Sequence, residues 1–151
     1  MSTSDFQRIL AVPIPLWTDD AREGRTVSRS VLVVDDSATM RAFAKLALRT
    51  LRVEVLEAAD GAEALRIARA NAPALVLSDV QMPVLDGLAL TRELRKDEKL
   101  REVPILLLTG ELTSDLERQG REAGASGFVE KPIKPPELQA AVRRLLGETA
   151  A

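Results

Sequence analysis

Val31-Leu32-Val33-Val34 runs straight into Asp35-Asp36, and this junction of four apolar residues with two carboxylates decides how the chain is read. The pattern returns three times. Ala74-Leu75-Val76-Leu77-Ser78 leads to Asp79, Ile105-Leu106-Leu107-Leu108 leads to Thr109, and Phe128-Val129-Glu130 leads to Lys131-Pro132. Apolar runs this short, separated by longer helical patterns, read as buried parallel strands. Open parallel sheets bind ligands at the carboxyl ends of their strands. Three carboxylates, a hydroxyl and an ammonium are therefore expected on one sheet edge, where they suit a divalent cation and a phosphoryl group.

Between these runs the helical period returns. After the first strand, Met40, Ala44, Ala47, Leu48 and Leu51 fall at helical spacing, with Arg41, Lys45, Arg49 and Arg52 on the other side. Val53-Glu54-Val55-Leu56 alternates, as suits an edge strand with one wet face. Asp60 offers an N-cap and Glu63 stands three residues on, so the spacing predicts a capping box and a helix ending near Asn71-Ala72-Pro73. A third helix is expected from Asp86-Gly87 to Lys96, then a charged loop from Asp97 to Glu102. Ser114 and Glu117 repeat the capping spacing for a fourth helix that stops near Gly124. That helix carries Gly120, which costs about 1 kcal/mol relative to Ala, and it is expected to be the least stable of the set. A last helix opens on Pro135-Pro136, with Leu138, Ala141, Val142, Leu145 and Leu146 as its buried stripe. The fold class is therefore α/β: a doubly wound parallel sheet of five strands with five flanking helices. Spacing alone leaves the strand order open.

The 151 residues suffice for one domain with its own core. A balance of 46% hydrophobic and 29% charged residues is that of a globular chain. The formal net charge of -2 provides no footprint for nucleic acid or a membrane surface, so neither partner is expected. The absences narrow the chemistry further. With no His, Cys or Tyr, Ser-His-Asp and Cys-His catalysis are impossible, and the ligand sets that zinc prefers are missing. The chain cannot carry phosphate on a histidine of its own. No cysteine means no disulfide framework, which fits a cytoplasmic protein. Carboxylate, hydroxyl and amine remain, and hard oxygen ligands suit magnesium or calcium. No apolar run approaches the roughly 20 residues of a membrane span.

Residues 1–29 show no sustained period. Phe6 to Trp17 is apolar, with Pro13 and Pro15 inside it, and the following piece is polar with balanced charges. Ile9 to Trp17 is broken by proline, and Asp5 stands where a secretory signal would be basic. This stretch reads as an N-terminal extension, either flexible or docking Phe6, Leu10, Leu16 and Trp17 into an apolar groove. Residues 30–147 form the domain and 148–151 a tail, with no second domain expected after it.

Four motifs stand in order at fitting distances: Val33-Val34-Asp35-Asp36-Ser37, residues 78–87 (Ser-Asp-Val-Gln-Met-Pro-Val-Leu-Asp-Gly), Leu107-Leu108-Thr109-Gly110, and Phe128-Val129-Glu130-Lys131-Pro132. Together they closely resemble the CheY-like receiver domain of bacterial response regulators. The resemblance implies the flavodoxin-like strand order 2-1-3-4-5. It implies that Asp79 is the phosphoacceptor, a carboxylate nucleophile that forms an acyl phosphate. Asp36 would bind Mg²⁺ directly, Asp35 would help through water or a hydrogen bond, and Asp79 and the backbone carbonyl of Gln81 would complete the protein's share of the magnesium site. Asp36, just before the first helix, would also serve as its N-cap. Lys131 would pair with the phosphoryl oxygens as a compact point charge. Thr109 and Phe128 would form the switch, the first by hydrogen bonding to the phosphoryl group and the second by changing between outward and inward rotamers. A cis bond is implied before Pro132. Phe128 lacks the hydroxyl that a Tyr would bring to its position.

The resemblance implies a single-domain response regulator of two-component signalling. It would be a signalling phosphoacceptor rather than an enzyme, catalysing only its own phosphorylation and slow dephosphorylation. The phosphoryl group would come from a sensor histidine kinase or a histidine phosphotransfer protein. Output would pass to a protein that the sequence does not name, from a monomer or a phosphorylation-dependent dimer. The alternatives are an adaptor that keeps the fold without the chemistry, and a phosphate sink. Haloacid dehalogenase phosphatases also use an Asp nucleophile, but they want a second Asp where this chain has Gln81.

Overall fold

The computed structural model describes residues 29–147; the extension with Phe6, Leu10, Leu16 and Trp17, and the tail, lie outside the described residues. Strands β1 (Arg29–Val34), β2 (Val53–Ala58), β3 (Leu75–Asp79), β4 (Ile105–Thr109) and β5 (Gly127–Glu130) alternate with helices α1 (Ala38–Ala47), α2 (Gly61–Asn71), α3 (Gly87–Lys96), α4 (Ser114–Ala123) and α5 (Pro135–Leu145). A 3₁₀ turn, Arg49–Leu51, follows α1. Every strand pair is parallel and the order is β2-β1-β3-β4-β5. The chain first steps from β1 to β2, then returns to lay β3 on the other side of β1. The strand order therefore reverses between β1 and β3, which opens a crevice at their carboxyl ends. β1 begins at Arg29, one residue inside the stretch assigned to the extension.

Alternation along the strands divides the core in two. Val31, Val33, Leu75, Leu77, Leu106, Leu108 and Val129 pack on one face with Ala44 and Ala47 of α1 and Leu138, Ala141 and Val142 of α5. Leu32, Val34, Val76, Ile105 and Leu107 pack on the other with Ala64, Ala68, Leu90, Leu94 and Ala123 of α2, α3 and α4. Covered on both sides, β3 and β4 are buried at every position, whereas the edge strand β2 is mostly half-exposed. Among the described residues no helix is long and apolar enough to cross a membrane.

The helix starts follow the sequence with two corrections. Asp60 accepts from Glu63 N at 2.8 Å and Asp86 from Ala89 N at 2.8 Å, while Glu63 reaches one residue past the cap to Ala59 N at 2.7 Å, so the box expected at Asp60 is only half made. The cap of α1, however, is Ser37 rather than Asp36, and the cap of α4 is Thr113 rather than Ser114. An N-cap needs extended backbone with its side-chain oxygen over the third amide of the helix. Ser37 (φ -93, ψ 116) and Thr113 (φ -97, ψ 161) meet that condition, and Ser114 is already helical. Glu117 pairs with Arg121 and does not close a capping box.

Gly120 has a packing reason that its helix propensity hides. It is buried under the Phe128 ring, and a Cβ there would overlap Phe128 Cζ and lie 2.7 Å from Cε2. The residue that weakens α4 in isolation is the one that lets α4 close on β5; tertiary packing, not propensity, holds the helix. Arg95 makes a second unforeseen tie. Its guanidinium donates to the carbonyls of Leu100, Arg101, Val103 and Gly124, joining the charged loop to the end of α4.

Candidate functional site

Parallel pairing brings the strand ends together. Asp35 is the first residue past β1 and donates its N–H to Ala58 O at 3.1 Å. Asp79 ends β3 and Thr109 ends β4. Lys131 follows β5 and donates its N–H to Thr109 O at 2.7 Å. The start of α3 closes over Asp79 because residue 87 is glycine: a Cβ there would overlap the carbonyl oxygen of Asp79 and lie 2.9 Å from Val80 Cα. The Lys131–Pro132 bond is cis.

Lys131 Nζ stands 3.1 Å from Asp79 Oδ2 and 3.8 Å from Asp35 Oδ2. Asp35 and Asp79 are buried, whereas Asp36 is exposed at the rim. Asp35, Asp36 and Asp79 each bring one carboxylate oxygen within 4.8 Å of the others'. Asp35 Oδ1 accepts from Ser37 N at 2.9 Å, but Asp35 Oδ2 is buried with no hydrogen-bond partner. Burial raises the Asp35 carboxyl above its ordinary value; the Ser37 amide opposes this, Asp79 adds to it, Lys131 opposes it and Asp36 adds to it. A buried oxygen without a hydrogen-bond partner, beside two more carboxylates, makes a set of hard oxygen donors that fits Mg²⁺.

Asp79, Gln81, Thr109 and Lys131 line one cleft together with Val80, Gly110, Glu111 and Leu116. Gln81 N lies 3.4 Å from Asp79 Oδ1. The Thr109 hydroxyl is engaged within its own loop, donating to Glu111 O at 3.1 Å and accepting from Glu111 N at 3.2 Å. Phe128 stands apart from the cleft, half-buried on the α4 side of the sheet and seated on Gly120. The residues singled out from the sequence thus fall into a cleft group, the adjoining carboxylates of Asp35 and Asp36, and one ring behind them.

Two neighbours were not foreseen. Arg41, placed by helical period on the outer side of α1, donates to Asp35 O at 2.7 Å and pairs with Glu57 at 3.0 Å. Glu111 holds the Thr109 hydroxyl through its backbone, a contact that no side-chain pattern announces.

This fold and edge define a receiver. The family model of the response regulator receiver domain matches residues 31–143, and the chain belongs to that family. It is 42% identical over 123 residues to the probable transcriptional regulator ycf27 of Cyanophora paradoxa, covering 80% of this chain and 49% of that one. The chain thus spans about half the length of the curated relatives it matches. Among solved structures it is similar to the chemotaxis protein CheY4 of Vibrio cholerae, with TM-score 0.76, 34% identity, and coverage of 79% of this chain and 99% of that one. It is also similar to the receiver domain of the sensor histidine kinase PA1611 of Pseudomonas aeruginosa, with TM-score 0.74, 34% identity, and coverage of 81% of this chain and 100% of that one. That structure holds a magnesium ion in its active-site cleft.

Proposed function

We propose that this chain is a phosphoacceptor that takes a phosphoryl group from a phosphohistidine onto Asp79, with Mg²⁺, and so switches its contacts with an output protein. The observation that carries the reading is the buried Asp79 carboxylate, 3.1 Å from the Lys131 ammonium and beside the orphaned oxygen of Asp35. An Asp79 oxygen attacks phosphorus; the new P–O bond forms as the donor's P–N bond breaks, and the electron pair leaves on the imidazole nitrogen, which takes up a proton. Lys131 neutralises charge on the transferred oxygens without forming a bond to them. Asp35, Asp36, Asp79 and the backbone carbonyl of Gln81 would hold the Mg²⁺. When bound, the ion offsets the repulsion between these carboxylates and the incoming phosphoryl oxygens. Water attack on the acyl phosphate later returns the carboxylate and releases phosphate. The chain acts on no other substrate in this reading and is not an enzyme in that sense.

The donor is a sensor histidine kinase or a histidine phosphotransfer protein, the partners with which receiver domains of this family work. The single-domain form and a cytoplasmic setting belong to the same proposal, supported by the likeness to CheY4 along 99% of its chain and by the lack of cysteine. Acetyl phosphate with Mg²⁺ tests it. One phosphate per chain, lost in Asp79→Asn without loss of the fold, is the expected result. Phosphate on any other residue, located by mass spectrometry, refutes the assignment. A chain that takes no label is an adaptor instead.

A further inference from the structure

Glu130 stands beside Thr109 in the sheet, the two being register partners across β4 and β5. Its side chain is exposed, yet Oε2 accepts from Leu112 N at 2.9 Å. Leu112 belongs to the connection from β4 to α4, residues 110–113. The same connection occupies the Thr109 hydroxyl, which donates to Glu111 O and accepts from Glu111 N. A hydroxyl has one proton, so a proton given to Glu111 O is not available to an oxygen on Asp79. Phe128 and Glu130 are two residues apart on β5 and so project toward the same face, that of α4. Phe128 rests on Gly120, and Glu130 holds the amide of Leu112. β5 therefore grips α4 at its middle and at the loop that leads into it.

We propose that Glu130 is a positioning residue: it holds residues 110–113 in the arrangement that keeps the Thr109 proton on Glu111, and losing the Glu130–Leu112 bond frees Thr109 to turn into the cleft. The inference rests on the phosphoacceptor reading of Asp79. A phosphoryl group on Asp79 draws the Thr109 hydroxyl inward, and the carboxylate of Glu130 draws the same loop back. A contact made in only one of two states biases their equilibrium by its own free energy. Glu130 thereby sets how much of the unphosphorylated chain already resembles the phosphorylated one.

The test uses the full chain as wild type, Glu130→Gln and Glu130→Ala, each with Mg²⁺ and with or without beryllofluoride. Amide exchange of Leu112 and the NMR signals of residues 109–113 are followed. Glu130→Gln keeps an oxygen acceptor, so Leu112 exchange should stay within about twofold of wild type, while Glu130→Ala should quicken it about tenfold. Without beryllofluoride, the Thr109 signals of Glu130→Ala should be displaced from wild type toward the beryllofluoride-bound positions, and those of Glu130→Gln should not. Equal Leu112 exchange in all three proteins overturns the inference. Faster exchange with unmoved Thr109 signals makes Glu130 a structural tie only and also overturns it. Failure of the phosphoacceptor reading looks different: the wild type then shows no response to beryllofluoride around Asp79, and the inference falls with it.

Discussion

Replacing Gly120 with Ala sets helix propensity against packing, and the structure decides the sign. In an isolated α4 the change would stabilise by about 1 kcal/mol. In the fold the new methyl meets the Phe128 ring, overlapping Cζ and lying 2.7 Å from Cε2. The backbones on either side yield little, because Gly120 is buried within α4 and β5 is paired with β4 along its whole length. The ring must turn out. Full burial of a Phe side chain contributes about 1.5–3 kcal/mol, so exposing a ring that is already partly exposed should forfeit about 2 kcal/mol. The net expectation for Gly120→Ala is a loss of about 1 kcal/mol. Removing the ring first reverses the sign: in a Phe128→Ala background, Gly120→Ala should stabilise by about 1 kcal/mol, the helix contribution alone. The coupling across the double-mutant cycle is then about 2 kcal/mol, well above the few tenths expected for sites that do not touch. Urea unfolding of the four proteins, followed by circular dichroism, measures it. Equal stabilisation by Gly120→Ala in both backgrounds would show that the ring and the glycine are independent and would refute the reasoning.

The carboxylate cluster and one loop yield further expectations. Because burial raises the Asp35 carboxyl, the folded chain holds that proton more tightly than the unfolded chain. Wild-type stability should therefore fall as pH rises from the ordinary carboxylate range through the raised value. In chelator, Asp35→Asn should match wild type on the acid side of that window and exceed it at neutral pH. Added Mg²⁺ should stabilise the wild type by RT ln(1 + [L]/Kd) and so raise its melting temperature, and should raise that of Asp36→Asn, which lacks the direct ligand, much less. A wild type indifferent to millimolar Mg²⁺ would count against the metal site. Val84 has φ 72 and is 80% exposed, within a γ-turn closed by Leu85 N donating to Pro83 O at 2.8 Å. A left-handed β-branched residue costs about 1–2 kcal/mol, and glycine loses only part of that in backbone entropy, so Val84→Gly should stabilise by about 0.5–1 kcal/mol. An unchanged or lower urea midpoint would show that the valine side chain makes up for its strain.

Local pattern was enough for the elements and for bringing the strand-end residues to one edge of the sheet. The period of apolar residues distinguishes a helix such as α5 from a strand such as β4, because 3.6-residue and two-residue repeats select different faces. Unbroken runs at 75–77 and 105–108 require cover on both sides, and so a parallel sheet between helix layers. Residues at the ends of parallel strands share an edge whatever the strand order, which is why Asp35, Asp79, Thr109 and Lys131 were legible as neighbours. Tertiary structure alone decided the rest. Strand order depends on pairing between distant segments. Which of Asp35 and Asp36 is buried depends on how the chain leaves β1, and the same turn moves the cap to Ser37. Gly120 reads as a weakness until the Phe128 ring is set on it. Arg41, Arg95 and Glu130 act on backbone carbonyls and amides of other elements. Every residue offers such groups alike, so a bond to one of them leaves no pattern in the sequence; only the approach of two elements selects it.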